Sequence, residues 1–336
     1  MENNRIITPT HTGIIVSDPA IKAEYLYVGD YGKENNIKAD FLGYTKRIEK
    51  VEHRPVDIKE KLVVTISTQK GCPMKCNFCD CPKYGFYGNL STWEMLSEIT
   101  TAISLSGIKE GKRLNLHFAR MGEPTFNLQV IEVAKIVGDI CIDGHRFLGE
   151  KSPIFEEYHP VVSTMMPKDN PKLGTFLARW TDMMRLNEYP AWGHPGLQFS
   201  INTLDDAKRN EMFNGMSYDL GKISDIVNNL PTPVDRKYTL NFAVTSESNL
   251  DVDLMNKYFD KDKCIVKITP IHETKEAVDN GYEIVTDFDV YERFEKPLVD
   301  DGWDVIVFIP SKEEDSDRIT CGNSLLAIGN NRRNIK

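Results

Sequence analysis

Residues 61–86 read KLVVTISTQKGCPMKCNFCDCPKYGF. The first eight, KLVVTIST (61–68), are apolar and β-branched, the composition of a buried strand. They run directly into a loop that places Cys72, Cys76, Cys79 and Cys81 within ten residues. Just beyond it, STWEMLSEITTAISLSG (91–107) carries apolar residues at helical spacing. Ser91 or Thr92 serves as the N-cap and Gly107 as the stop. A buried strand, a cysteine loop and an amphipathic helix form one βα unit, and the reading of the whole chain follows from it.

The spacing of the first three cysteines is C-x3-C-x2-C. Three thiolates on one tight loop can ligate three irons of a cubane and leave the fourth with an open position. Zinc is the competing occupant. Zinc sites favour paired C-x2-C knuckles and a fourth ligand, which Cys81 or a histidine would supply. A loop between a first barrel-type strand and a helix favours the [4Fe–4S] cluster, with Cys81 as a neighbouring thiol that does not ligate. Of the remaining cysteines, Cys141 lies in a helix-like stretch and Cys264 at a strand start. Both read as core.

Outward from the loop, strands and helices alternate. RLNLHFAR (113–120), HPVVSTMM (159–166), GLQFSIN (196–202), KYTLNFAVT (237–245), CIVKITPI (264–271) and WDVIVFIP (303–310) read as strands. Helical periods lie between them, in NLQVIEVAKIVGDI, PKLGTFLARWTDMMRL, DLGKISDIVNNL, DVDLMNKYF and DFDVYERFEKPLVDDG. Alternation of this kind predicts an α/β fold with a parallel sheet. About six units fit a partial (β/α)6 barrel, with a doubly wound open sheet as the alternative. In both, ligands sit at the carboxyl ends of the strands. The division expected is a β-hairpin lead-in at 1–60, a barrel at 61–310 and a C-terminal loop at 311–336 carrying Cys321. A charged and aromatic stretch, DGHRFLGEKSPIFEEYHP (143–160), reads as an insertion: a lid, a substrate platform or a surface loop.

The chain has 336 residues, 40% hydrophobic, and a formal net charge of −9. That balance argues against a protein that chiefly grips phosphates, which would carry a basic face. The basic tail NNRRNIK reads as a solvated end. No apolar run approaches a membrane span and the start lacks the pattern of a secretory signal, so a cytoplasmic protein without membrane contact is expected.

Beyond its spacing, the cysteine loop resembles that of the radical S-adenosylmethionine (SAM) superfamily, including the aromatic Phe78 before the third cysteine. The stretch from Ser67 to Leu90, with Gln69, Gly71, Gly85, Phe86 and Asn89, resembles the RlmN/Cfr family of RNA adenine methyltransferases. Five pieces follow in the family's order: MGEPTFN (121–127), VVSTMMP (161–167), FSINTLDDAKRNEM (199–212), CIVKITPIH (264–272) and ITCGNSLLA (319–327). The likeness covers about residues 60–327.

That resemblance implies a radical SAM enzyme in which Cys72, Cys76 and Cys79 hold a [4Fe–4S] cluster. SAM would lie against Phe78, Gly122, Glu123, Ser163, Ser200, Asn202 and His272. Glu123 would accept from the SAM ammonium and Ser163 or Ser200 from the ribose, while Gly122 permits close backbone approach. Asn202 and His272 replace the family's histidine and asparagine. Cys321 would carry a methyl group that is passed to an sp2 carbon of an RNA adenine or another nucleotide-like substrate. The implied partners are SAM and an electron donor such as flavodoxin or ferredoxin. Two departures stand out: Thr65 occupies the position of the family's second, resolving cysteine, and the family's N-terminal RNA-binding domain is missing or reduced. A radical SAM enzyme of another reaction type, acting on a small molecule or peptide, and a non-catalytic iron–sulfur or zinc protein are the alternatives.

Overall fold

The computed structural model describes residues 5–29, 57–143, 146–147, 150–151, 154–185, 193–283, 285 and 289–325. Three antiparallel strands come first: β1 (Ile6–Pro9), β2 (Gly13–Asp18) and β3 (Ala23–Val28). The strand ahead of the cysteine loop is β4 (Leu62–Thr65), antiparallel to β3. Two short strands, β5 (Gln69–Gly71) and β6 (Phe86–Asn89), bracket the loop as a hairpin. The parallel series continues with β7 (Glu110–Phe118). After a separate two-residue ladder of β8 (Arg146–Phe147) and β9 (Glu150–Lys151) come β10 (Ile154–Thr164), β11 (Gly196–Ser200), β12 (Tyr238–Val244), β13 (Cys264–Pro270) and β14 (Val305–Val307).

Strand order in the ten-stranded sheet is β1-β2-β3-β4-β7-β10-β11-β12-β13-β14. A doubly wound sheet reverses direction at a switch point. Here the seven parallel strands add in one direction only, the winding of a partial barrel. Each of the six crossovers contains helix: α1 (Thr92–Ser106), α2 (Gln129–Asp143), α3 (Leu173–Arg185), the pair α4 (Asp206–Met212) and α5 (Leu220–Asn229), α6 (Val252–Tyr258), and α7 (Lys275–Asp279) with the helical stretch through Asp300. The six units expected are therefore present.

Local chemistry accounts for these elements. Ser91 and Glu94 close a capping box at the start of α1, and Gly107 ends it at φ +72°, the left-handed conformation glycine adopts at least cost. The core lies between the sheet and its helices. Trp180 of α3 stacks on Phe176 and meets Phe118 of β7 edge-on, with centroids 5.9 and 6.2 Å apart. Its indole donates to the Gly196 carbonyl at 3.2 Å, which satisfies the polar atom that burial would otherwise strand. Cys141 and Cys264 are buried in this core, as read.

One expectation is corrected. Residues 154–160, read as the end of an inserted lid or platform, belong to β10, a central strand with Phe155 and Tyr158 fully buried. The rest of that stretch lies mostly outside the described residues. The lead-in strands continue the barrel's own sheet through the β3–β4 pairing. Downstream of β14, a short helix (Lys312–Ser316) leads to a segment whose Ile319 and Leu325 pack on Ile15, Leu26 and Val28. Among the described residues, no helix is long and apolar enough to cross a membrane.

Candidate active site

The cysteine loop begins with a backbone constraint. Gly71 sits at φ +73°, and a Cβ there would lie 1.9 Å from the Gly85 carbonyl oxygen. The same carbonyl accepts from Cys72 N at 2.9 Å. Beyond Gly71 the loop is held from three sides. Asn77 N donates to the Met212 carbonyl at the end of α4. The Thr274 hydroxyl ahead of α7 donates to the Phe78 carbonyl at 2.7 Å. Asp80 N donates to the Gly322 carbonyl at 2.9 Å, which ties the loop to the residue after Cys321. Asp80, fully buried, also accepts from Glu276 N at 3.1 Å and from the Arg318 guanidinium at 3.0 Å.

Burial and mutual charge set the thiols' behaviour. Burial first, and then the Cys79 sulfur, push Cys72 and Cys76 upward, while a hydrogen bond from Cys81 pulls Cys79 down. Cys72 and Cys76, raised by burial and by the Cys79 sulfur, are disfavoured as bare thiolates, and bound iron removes that penalty. The loop therefore fits a cluster held by Cys72, Cys76 and Cys79. Among the described residues, no three His, Cys, Asp or Glu side chains gather as a single metal ion would require. Cys81 is buried beside Cys72 and Cys79 and donates to the Arg120 carbonyl at 3.5 Å.

Residues far apart in sequence interlock beside the loop. Gln69 donates to Asn89 and accepts from Glu123 N at 2.9 Å; Asn89 donates to the Phe126 carbonyl. Asn127 donates to the Thr68 and Leu90 carbonyls. Gly122, at φ +101°, has the Gln69 side chain where a Cβ would stand. Glu123 is buried, and burial raises its carboxyl. It accepts from Thr125 through both amide and hydroxyl, and from Met165 N at 3.0 Å.

A cavity of about 380 Å³ opens at the carboxyl ends of the parallel strands and descends into the barrel. Phe78, Ser163, Ser200, Asn202, His272 and Cys321 all line it; Gly122 and Glu123 stand outside its lining. The Ser163 hydroxyl donates to Gln198 at 3.0 Å. Asn202, at φ +64°, accepts from Ala243 N. His272 is 3.1 Å from Asp315 on the segment that carries Cys321. Cys321 reaches solvent through the mouth yet is ringed by protein, which raises its thiol to about 11; Lys267 and Arg120 pull the other way.

Sequence reasoning passed over Arg209. It is buried on α4 and donates to the carbonyls of Ser200, Ile201, Met165 and Tyr218 and to the Ser217 hydroxyl. It thereby joins the ends of β10 and β11. Its guanidinium lies 4.6 Å from the Phe213 ring, which meets Phe78 edge-on at 5.6 Å. Only the segment FSINTLDDAKRNEM hinted at it. Asp80, Gln198, Asn241 and Lys267 were likewise passed over.

A C-x3-C-x2-C loop after the first parallel strand of a partial barrel is the arrangement that the resemblance to radical SAM proteins leads one to expect. No family model matches the sequence. A dual-specificity RNA methyltransferase RlmN from Nautilia profundicola is 26% identical over 207 residues, 60% of this chain and 51% of that protein. An RlmN from Wolinella succinogenes is 33% identical over 104 residues, 31% of this chain and 29% of its own. The chain spans about half the length of the curated relatives that match it over their longest stretches. A solved radical SAM methyltransferase from Sphaerobacter thermophilus superposes with a TM-score of 0.60 at 16% identity, covering 96% of this chain and 81% of that one; at this identity the likeness is one of fold. Over about 60% of its length the chain is thus similar to RlmN methyltransferases.

Proposed function

We propose that this chain is a radical SAM methyltransferase in which Cys321 carries the transferred carbon to an sp2 carbon of the acceptor. The observation that carries the reading is the tie from Asp80 N to the Gly322 carbonyl. It fixes Cys321 beside the cysteine loop and over the cavity lined by Phe78, Ser163 and Ser200. When bound, a [4Fe–4S] cluster on Cys72, Cys76 and Cys79 supplies a 5′-deoxyadenosyl radical from SAM, with one electron from a donor such as flavodoxin or ferredoxin.

The chain's own residues do the remaining work. Cys321, as its thiolate, would take the methyl group of the SAM sulfonium, the old S–CH3 bond breaking to release S-adenosylhomocysteine as a neutral thioether; the nearby Lys267 and Arg120 charges favour the thiolate against burial. Glu123 receives the SAM ammonium in place of one of the hydroxyl donors it now accepts from, such as Thr125. Ser163 and Ser200 face the ribose from the cavity wall. Thr65 also lines the cavity, but its hydroxyl cannot form a disulfide, so release of an adduct from Cys321 does not run through residue 65. RNA is the substrate class in the names of the matched relatives, which supports a nucleotide-like acceptor.

The test is to reconstitute the cluster anaerobically, add SAM without acceptor, and weigh the tryptic peptide that contains Cys321. One added methyl on Cys321 is the expected result. An unmodified thiol in a protein that still cleaves SAM on reduction would overturn the carrier role.

A further inference from the structure

The barrel wall below the mouth is polar. Six neighbouring parallel strands each turn polar side chains to the cavity, among them Thr65, His117, Ser163, Gln198, Asn241 and Lys267. A barrel interior is ordinarily filled by branched apolar residues, so this band calls for a ligand. Two acceptor atoms on the wall, Oδ1 of Asn115 and of Asn241, are buried without a hydrogen-bond partner. Such atoms cost stability unless something satisfies them.

The charge is positive where the chain as a whole is acidic. Lys267 stands in mid-strand on β13, within electrostatic reach of Lys61, Arg236 and Cys321. Burial lowers its ammonium and the two cations lower it further; Cys321 is the one group among the main influences that raises it. Its ammonium stands over the Phe308 ring, 5.5 Å from the centroid. His117 shares the space as a neutral ring, driven down to about 3 by burial and then by Lys267. The carboxylate that lines the cavity, Glu314, is engaged with Ser311 N at 2.7 Å in capping its own helix.

We propose that Lys267 is an anion-binding residue for the acceptor, and that the acceptor is a small molecule entering the barrel acid-first, its carboxylate or phosphate on Lys267 and its polar groups on Asn115 and Asn241. This rests on the carrier reading of Cys321 only for what happens to the acceptor, not for its binding. Depth separates the small acid from a polynucleotide. When an enzyme takes a base out of a nucleic acid, the base enters the pocket and the phosphates remain with the backbone outside. A cation in the interior suits the opposite orientation. SAM is separated by position: it would be held at the cysteine loop and by Glu123, whereas Lys267 lies on the wall beneath Thr269 and Pro270.

The experiment uses the cluster-loaded protein with five probes: benzoate, benzamide, inorganic phosphate, SAM and an RNA stem-loop. Benzoate and benzamide have the same shape and differ in charge. Binding is measured at constant ionic strength for wild type, Lys267→Gln and Lys267→Arg, each checked for a native melting transition. We expect benzoate and phosphate to bind wild type and to weaken about tenfold or more in Lys267→Gln, the scale of a lost charge-assisted contact. Lys267→Arg should retain most of the affinity. Benzamide should bind poorly to all three and SAM equally to all three. Benzoate and benzamide binding alike, neither anion binding, or Lys267→Gln binding anions as wild type does would overturn the proposal. An equal loss of SAM affinity in Lys267→Gln would also overturn it, by assigning the lysine to SAM. An RNA stem-loop that displaces benzoate and binds Lys267→Gln as tightly as wild type would overturn it too, by placing a base in the lumen. Failure of Cys321 methylation with anion binding intact would sink the carrier reading alone.

Discussion

Gly71 and Gly107 hold nearly the same conformation, φ +73° and +72°, in different surroundings. A Cβ at Gly107 meets nothing within 4 Å, whereas one at Gly71 collides with the Gly85 carbonyl. Gly107→Ala should therefore cost only the left-handed backbone term, about 1–2 kcal/mol. Gly71→Ala adds a backbone clash that no rotamer change relieves. It should cost about 3 kcal/mol or more and lower iron incorporation, measured by denaturant titration and iron content. Glu98 makes a residue-scale prediction of opposite sign. Its carboxyl is buried on α1; burial raises its pKa well above the usual range, Oε2 accepts from Ser67 N, and Oε1 has no partner. An acid whose folded pKa stands above its unfolded one binds protons better in the native state. Stability is then greatest below the unfolded value and falls as pH rises through the folded one. Glu98→Gln should thus be more stable than wild type at about pH 8, and the two should converge near pH ~3, below the unfolded value, where the carboxyl is protonated in both folded and unfolded states. Equal pH profiles in chemical denaturation would refute this.

At the scale of elements, the segment from Ser311 to Leu325 acts as a strap that holds Cys321 over the cavity. Its attachments are unequal. His11 pairs with Asp317 at 2.7 Å but is more than half exposed, whereas Asp80, which pairs with Arg318, is 1% exposed. Exposed pairs contribute about 0–1 kcal/mol; removing one partner of a buried pair costs about 3–5 kcal/mol. Asp317→Ala should leave the strap in place. Asp80→Ala should release it, seen as faster trypsin cleavage after Arg318 and faster alkylation of Cys321. Similar cleavage rates in both variants would show that the strap is held by packing instead. What the sequence discloses about such elements depends on how local their causes are. α1 was readable because its cap, its apolar stripe and its terminal glycine lie within seventeen residues. The cysteine loop was readable because its ligands are contiguous. Arg209 was not, since the carbonyls it binds come from three separate segments and nothing in the seven residues of α4 signals them. The polar band behind Lys267 was missed for a related reason. A polar residue at every second position looks like ordinary alternation until register puts those of six strands on one wall. Residues 154–160 were misread because their charged outward positions resemble loop composition, although the strand they belong to is central.

The whole molecule closes through contacts between its two ends. The parallel strands form an open curl, with β4 and β14 unpaired to each other. β3 extends the sheet beyond β4 and brings Leu26 and Val28 to the cavity and to the strap, where Ile319 and Leu325 meet them. The N-terminal strands are thus a wall of the site as much as a lead-in to it. The buried ion pair of Glu24 on β3 with Arg120 after β7, at 2.7 Å, points to the same integration, because Arg120 also donates to the Arg318 carbonyl of the strap at 2.9 Å. If the ends close the molecule in this way, substitutions on the two sides must report on each other. Leu26→Ala removes a side chain that is 1% exposed and should cost about 2–5 kcal/mol. Ile319→Ala, at a half-buried position, should cost less. Combined, the two should cost less than the sum, with a coupling of about 0.5–3 kcal/mol, as expected of side chains that share one contact. Leu26→Ala alone should also speed alkylation of Cys321, two residues beyond Ile319, by loosening the strap. Strict additivity in the cycle, with Cys321 reactivity unchanged, would mean that the N-terminal strands and the strap fold independently and that the cavity is closed by the barrel alone.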